Sequence, residues 1–151
     1  MPTNIWCPHA TVATIVEKDN YFLLVEEIAG GKKVFNQPAG HLEQNETLFD
    51  AAIRETLEET GWHVELTDVT GFYTYLAPTN GITYHRTCFA ANPINLDTNA
   101  TLDEGIVGAV WLTYEELKSQ RNKLRSPLVL RCIEDYLADK RYPLDIIYHH
   151  Q

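Results

Sequence analysis

GHLEQNETLFDAAIRETLEETGW, residues 40–62, decides how the rest of this chain is read. The stretch places Glu46, Glu55, Glu58 and Glu59 around one arginine, Arg54, and has glycines near both ends, Gly40 and Gly61. Thr47 followed three residues later by Asp50 fits the start of a capped helix. Gly61 suits a left-handed stop. At about 100° per residue, and with Leu48 as zero, Glu55, Glu58 and Glu59 fall near 340°, 280° and 20°, on one face. Phe49, Ala52, Ile53, Thr56 and Leu57 spread over the opposite side, which can face a core. Like charges at helical spacing repel. Arg54 cannot neutralise three carboxylates, whereas divalent cations can. Mg²⁺ favours carboxylate oxygens, keeps several waters and binds together with substrate phosphates.

Outward from the helix, residues 10–17 and 21–26 read as a hairpin about Lys18-Asp19-Asn20, and Gly30-Gly31 marks a second turn. A short extended piece, 33–37, ends before Pro38. Residues 69–77 and 82–91 form a second hairpin about Pro78-Thr79-Asn80-Gly81. Residues 92–105 read as a loop, 106–112 as a strand, and 114–120 as a short helix after Thr113. Ser126 and Pro127 sit as N-cap and first residue of a last helix that runs through about Ala138. A helix that starts at Ser126 and Pro127 also leaves free amides in its first turn, where anions bind, although capping alone explains these residues. No repeat or linker interrupts the chain. Strands and helices alternate irregularly, so the fold class is α+β, a mixed sheet covered by helices in one domain.

The bulk numbers restrict the function. Lys and Arg total 12 against 21 Asp and Glu, a formal charge of -9. Such a chain lacks the basic face that a nucleic-acid polymer requires, yet it can take a small phosphorylated substrate if metal ions supply the positive charge. No apolar run approaches a membrane span, and MPTNIWCPHA shows no secretory leader. Cys7, Cys88 and Cys132 are far apart and odd in number, as expected of a reducing cytoplasm rather than a disulfide scaffold. His149 and His150 carry no ligand spacing and read as tail.

Gly40, Glu46, Arg54, Glu55, Glu58, Glu59 and Gly61 match every fixed polar and glycine position of the Nudix hydrolase signature, and the chain resembles that family. Thr56 and Trp62 fill its hydrophobic slots. Thr56 departs from the usual aliphatic residue, but its methyl can pack and its hydroxyl can bond back to the Ala52 carbonyl. The resemblance implies a helix–sheet–helix (α/β/α) sandwich with a loop–helix–loop motif. It also implies Mg²⁺- or Mn²⁺-dependent hydrolysis of a diphosphate linked to another group. Carried over by position, Glu55, Glu58 and Glu59 are metal ligands, joined by the Ala39 carbonyl. Arg54 orients a glutamate, and Glu46 braces the loop–helix junction together with Gly40 and Gly61. Water attacks phosphorus after activation by a base, either a box glutamate or a later-loop acid. Glu104 is the expected later-loop acid and a further metal ligand, with Asp103 its rival.

Three further segments, NQPAGHLE (36–43), LRSPLV (124–129) and RYPL (141–144), resemble a phosphatase subgroup of the family. That subgroup releases phosphate from nucleoside tri- and diphosphates and from hydroxymethylpyrimidine diphosphate. Pro78, 16 positions after Trp62 (78 − 62), points instead to hydrolysis of ADP-ribose or another nucleoside diphosphate derivative. A non-catalytic nucleotide sensor is the remaining alternative; such domains typically lack box glutamates that are all present here. Expected substrate contacts are Arg86 for phosphate, Phe35 and Tyr73 for stacking, and Gln37 with Asn36 for a base edge; His41 is placed near the mouth. Loops 28–33 and 92–105 are expected to shape the pocket of a monomer or homodimer.

Overall fold

The computed structural model describes residues 4–151, so the first three residues of the segment read above as leaderless lie outside the description. Strand β1 (His9–Lys18) and strand β2 (Tyr21–Ala29) meet at the Asp19-Asn20 turn, where both residues adopt positive φ. They pair only at Glu17–Phe22 and Lys18–Tyr21 and then splay apart. Strands β3 (Lys32–Asn36) and β7 (Ile106–Thr113) flank β2, whereas β4 (Ala39–His41) and β6 (Thr83–Leu96) flank β1. Strand β5 (Trp62–Leu76) closes the sheet antiparallel to β6. Because β1 and β6 run parallel, the seven-stranded sheet is mixed. The β1–β2 splay leaves room for β4, and β4 carries the backbone of the site.

Helices cover both faces of β1, and six consecutive buried residues, Thr11–Val16, follow from that. On one face α1 (Leu48–Thr60) packs Ala51 and Ala52 against Val12, Val69 and Phe89. On the other, α3 (Leu128–Leu137) packs Val129, Cys132 and Ile133 against Ala13, Ile15, Cys88 and Ala90, with Leu117 of α2 (Tyr114–Ser119) alongside. The α/β/α sandwich is therefore the observed architecture.

Both ends of α1 carry the expected chemistry. The Asp50 amide donates to Thr47 Oγ1 at 3.0 Å, and Gly61 ends the helix at φ 79° with its amide on the Leu57 carbonyl at 2.8 Å. Pro127 has helical dihedrals and the Leu128 amide donates to Ser126 Oγ at 3.2 Å, so Ser126 caps α3. Thr56 is fully buried; its hydroxyl donates to the Ala52 carbonyl at 2.7 Å and lies 2.8 Å from Thr14 Oγ1, which joins α1 to β1.

Two expectations change. Residues 92–96 continue β6, where they pair with the start of β5, so the loop spans only 97–105. The acidic side of α1 does not simply face away from the protein. Glu55 and Glu59 are each 9% exposed, whereas Phe49, Ile53 and Leu57 are only half-buried. The β4 backbone packs against the acids and covers them. No helix among the described residues is long and apolar enough to cross a membrane.

Candidate active site

Arg54 organises the acids. Its Nε and Nη2 donate to the two oxygens of Glu46 at 2.6 and 2.9 Å, a bidentate pair. Its Nη1 reaches Glu55 Oε1 at 2.8 Å and Glu58 Oε2 at 3.0 Å, and Nη2 also donates to the His41 carbonyl at 3.0 Å. Glu46 in turn accepts from the Glu43 amide at 3.0 Å, which ties the loop to the helix. The Arg54 hydrogen bond holds the Glu46 carboxyl below its ordinary value, and its carboxylate partners raise the pKa of Arg54.

Glu55, Glu58 and Asp103 each bring a carboxylate oxygen to within 4.8 Å of the others. Glu59 faces the same ground, with its Oε1 accepting from the Ala39 amide at 2.8 Å. Burial first, and then the charges of neighbouring acids, push the Glu55 carboxyl up despite Arg54. Burial pushes Glu59 up to about 8, against the Ala39 hydrogen bond and with help from the charges of Glu55, Glu27 and Asp103. A crowd of carboxylates, with Glu55 and Glu59 buried and one arginine shared among them, suits a hard divalent cation. Gly40 adds an independent observation, because a Cβ there would overlap the Glu55 carboxylate.

The pKa of Glu59 has a consequence for stability. Between the ordinary carboxylate value of 4.5 and about 8, the folded metal-free protein holds a proton that the unfolded chain has lost. Raising pH through that window therefore costs stability. In EDTA, Glu59 should lower Tm as pH rises from about 5 to about 8, so that wild type loses more Tm across this window than Glu59→Gln does. An identical pH profile for the two proteins would remove this origin.

Loop 97–105 is sewn to the end of α1. The Asp97 amide donates to the Gly61 carbonyl at 2.8 Å, and the Asp103 amide to the Glu58 carbonyl at 3.0 Å. This second bond explains why Asp103, and not Glu104, joins the cluster. Glu104 is exposed and makes no hydrogen bond or ion pair among the described residues. Asp103→Asn should accordingly lower kcat by at least about tenfold, with Glu104→Gln within about twofold of wild type. The reverse order in steady-state assays would restore Glu104.

A cavity of about 330 Å³ adjoins the acids through Ala39, Gly40 and Glu27. Arg86, 7% exposed, lines it. Its Nη1 donates to Gln37 Oε1 at 3.0 Å and lies 3.9 Å from Cys132 Sγ, and its Nη2 donates to Asn36 Oδ1 at 3.3 Å. No carboxylate pairs with Arg86 among the described residues, so a buried cation faces the cavity with neutral partners only. His41 also lines the cavity, 3.0 Å from His9 through Nε2 and Nδ1. Burial, then the charge of His9, lowers its pKa.

Three expected contacts lie elsewhere. Gln37 is 1% exposed and uses both ends of its amide, donating to the Val129 carbonyl at 2.6 Å as well as accepting from Arg86, so it positions Arg86. Tyr73 sits under α3 with its hydroxyl on Asp135 at 2.8 Å. Phe35 holds the 124–125 segment through its carbonyl, and its side chain does not line the cavity. The aromatics at the cavity are Tyr75 and Tyr84, cross-strand partners on β5 and β6. Strand periodicity could have suggested Tyr75, which shares a face with Tyr73 one pleat further on. Further walls come from the 77–80 turn, from Arg125, Ser126 and Leu128, and from Thr11 and Asn36, and none from 28–33 or 97–105.

Comparison with known proteins shows the family. The NUDIX domain model matches residues 8–132. Phosphatase NudJ of Escherichia coli strain K12 is 40% identical over 140 residues, which cover 93% of this chain and 90% of NudJ. A solved NUDIX hydrolase from Nitrosomonas europaea is 45% identical with a TM-score of 0.93, covering 95% of this chain and 98% of that one. Another NUDIX hydrolase from the same organism is 25% identical with a TM-score of 0.72, over 91% and 74% of the two chains. With the box glutamates gathered as described and likeness over nearly its whole length, this chain belongs to the Nudix hydrolase family.

Proposed function

We propose that the protein is a Mg²⁺-dependent phosphatase, with Mn²⁺ able to substitute. It would act on the phosphoanhydride bonds of nucleoside tri- and diphosphates and of small diphosphates such as hydroxymethylpyrimidine diphosphate, releasing phosphate. The observation that carries the reading is the Glu55–Glu58–Asp103 cluster beside a cavity lined by Arg86, a buried arginine with no carboxylate partner among the described residues. Glu55, Glu58, Glu59, Asp103 and the Ala39 carbonyl would hold the cations. The bound ions supply charge for the phosphoryl oxygens and a lowered pKa for the attacking water.

The chain's own groups do the rest. Arg54 fixes Glu55 and Glu58 before substrate arrives, so their orientation is set in advance. Asp103, the most exposed acid of the cluster, would take the proton from the attacking water. Arg86 offers a fixed fork to a phosphate oxygen, and Tyr75 and Tyr84 offer flat surfaces to a ring. The NudJ likeness supports phosphate release, and a cavity near the lower end of the usual ligand range, about 300–1,000 Å³, favours a mononucleotide-sized ligand.

Pro78 does line the cavity, which keeps ADP-ribose hydrolysis as the second reading. A screen with Mg²⁺ against nucleotides, hydroxymethylpyrimidine diphosphate, ADP-ribose and dinucleoside polyphosphates separates the two. Stepwise phosphate release is expected. AMP plus ribose phosphate from ADP-ribose as the fastest reaction would favour the alternative, and ligand binding without turnover would favour a sensor.

A further inference from the structure

The cavity holds a second arginine with a different character. Arg125, between the short 3₁₀ turn at Arg121–Lys123 and α3, lines the cavity with its side chain 47% exposed. Its Nη1 donates to Glu27 Oε1 at 2.8 Å, and its amide donates to the Phe35 carbonyl at 2.8 Å. The backbone is thus pinned to β3, while the guanidinium has one protein partner and donors to spare. Arg86, by contrast, is buried and held on both sides.

Glu27 sits where the β2–β7 register shifts, between Glu26 and Glu27. Bulges of this kind re-aim a side chain and occur beside active sites. Here the side chain is turned inward, 13% exposed, and it lines the same cavity. Its charge is among those felt by Glu59. Glu27 therefore stands between the box carboxylates and Arg125, attracted to Arg125 on one side and, once a cation is bound, to that cation on the other, while a phosphate would attract Arg125 and repel Glu27.

Resting on the reading of the site given above, we propose that Glu27 and Arg125 exchange partners when cation and substrate bind. Arg125 leaves Glu27 for the oxygens of the substrate phosphate, and Glu27 turns its freed carboxylate toward the cation held by the box glutamates. Arg125 is half-exposed and water can take up its guanidinium, whereas Glu27 is largely buried and needs a new positive partner, which the cation supplies. A phosphate accepts the guanidinium fork bidentately. Each ligand loosens the pair for the other, so by linkage cation and substrate strengthen one another's binding.

The test is Mn²⁺ binding by calorimetry without substrate, alongside KM and kcat with Mg²⁺. Arg125→Gln should tighten Mn²⁺ by about threefold or more, because Glu27 is already free, and should raise KM by about tenfold, more than it lowers kcat. Glu27→Gln should weaken Mn²⁺ by about threefold or more. A pair that merely braces the fold predicts no tightening in Arg125→Gln. A folded Arg125→Gln protein with Mn²⁺ affinity or KM unchanged overturns the exchange. Should that variant not fold, Arg125→Lys carries the test, with a several-fold rise in KM expected from loss of the fork and an unchanged KM overturning the proposal. A wild-type protein that binds Mn²⁺ and hydrolyses phosphoanhydrides while the variants behave alike sinks the exchange alone. A wild type that does neither overturns the reading of the site, and the exchange with it.

Discussion

Glu58→Gln is expected to lower turnover by at least about a hundredfold while the protein folds and melts like wild type. The Glu58 side chain is 39% exposed, and its hydrogen bond is with Arg54, at 3.0 Å. Arg54 keeps its bidentate pair with Glu46 and its bonds to Glu55 and His41, so the helix and loop lose little support. Glutamine has almost the same shape but brings no charge to the Glu55–Glu58–Asp103 cluster. The change therefore strikes cation binding and leaves packing alone. Steady-state kinetics and a melting curve on the same preparation check it. A variant within about threefold of wild type would remove Glu58 from the metal site.

Gly40→Ala should be nearly as damaging for a different reason. Gly40 does not have positive φ, so alanine suits the backbone there. The obstacle is the Glu55 carboxylate, which the new Cβ would overlap. That carboxylate ends a flexible side chain and can move aside, so Tm should shift by only a few degrees. Moving aside takes it out of the cluster, and a misplacement on the order of 1 Å at a catalytic centre can cost about a hundredfold in rate. The expected pattern is a protein that melts near wild type, binds Mn²⁺ weakly and turns over at least about a hundredfold more slowly. A Gly40→Ala protein with full activity would show that Glu55 need not lie against this backbone.

The box and its helix were legible in the sequence because their chemistry is local. Thr47 and Gly61 cap the helix through neighbours three or four residues away, and Thr56 bonds back one turn to Ala52. The sandwich followed from the same signature and from strand patterning. What the sequence concealed depends on long-range pairing. The β1–β2 hairpin was readable from its turn, but its opening after two residue pairs was not, since strands distant in the chain cause it. Asp103 prevails over its neighbour Glu104 through an amide bond to the Glu58 carbonyl, a contact 45 residues back (103 − 58) that no local pattern encodes.

The cavity was the least legible part. Arg86 was identifiable as a phosphate-type residue, but Gln37 looked like a base contact when it is the buried clamp that aims Arg86. Tyr73 and Tyr75 share a strand face, and only α3, packed over the first of them, leaves the second at the cavity. Neither Glu27 nor Arg125 was given a role: the strand carrying Glu27 was read as ending at 26, and Arg125 entered only as part of the 124–129 segment, without a chemistry of its own.

The most direct test is phosphate release from a nucleoside triphosphate by the purified protein, followed with Mg²⁺ and with EDTA, for wild type and Glu58→Gln. Wild type should release inorganic phosphate with Mg²⁺, stop when EDTA is added and recover when Mg²⁺ is restored, while Glu58→Gln stays near background throughout. Undiminished phosphate release in EDTA, or equal rates for the two proteins, would contradict a metal-dependent centre built on the box glutamates.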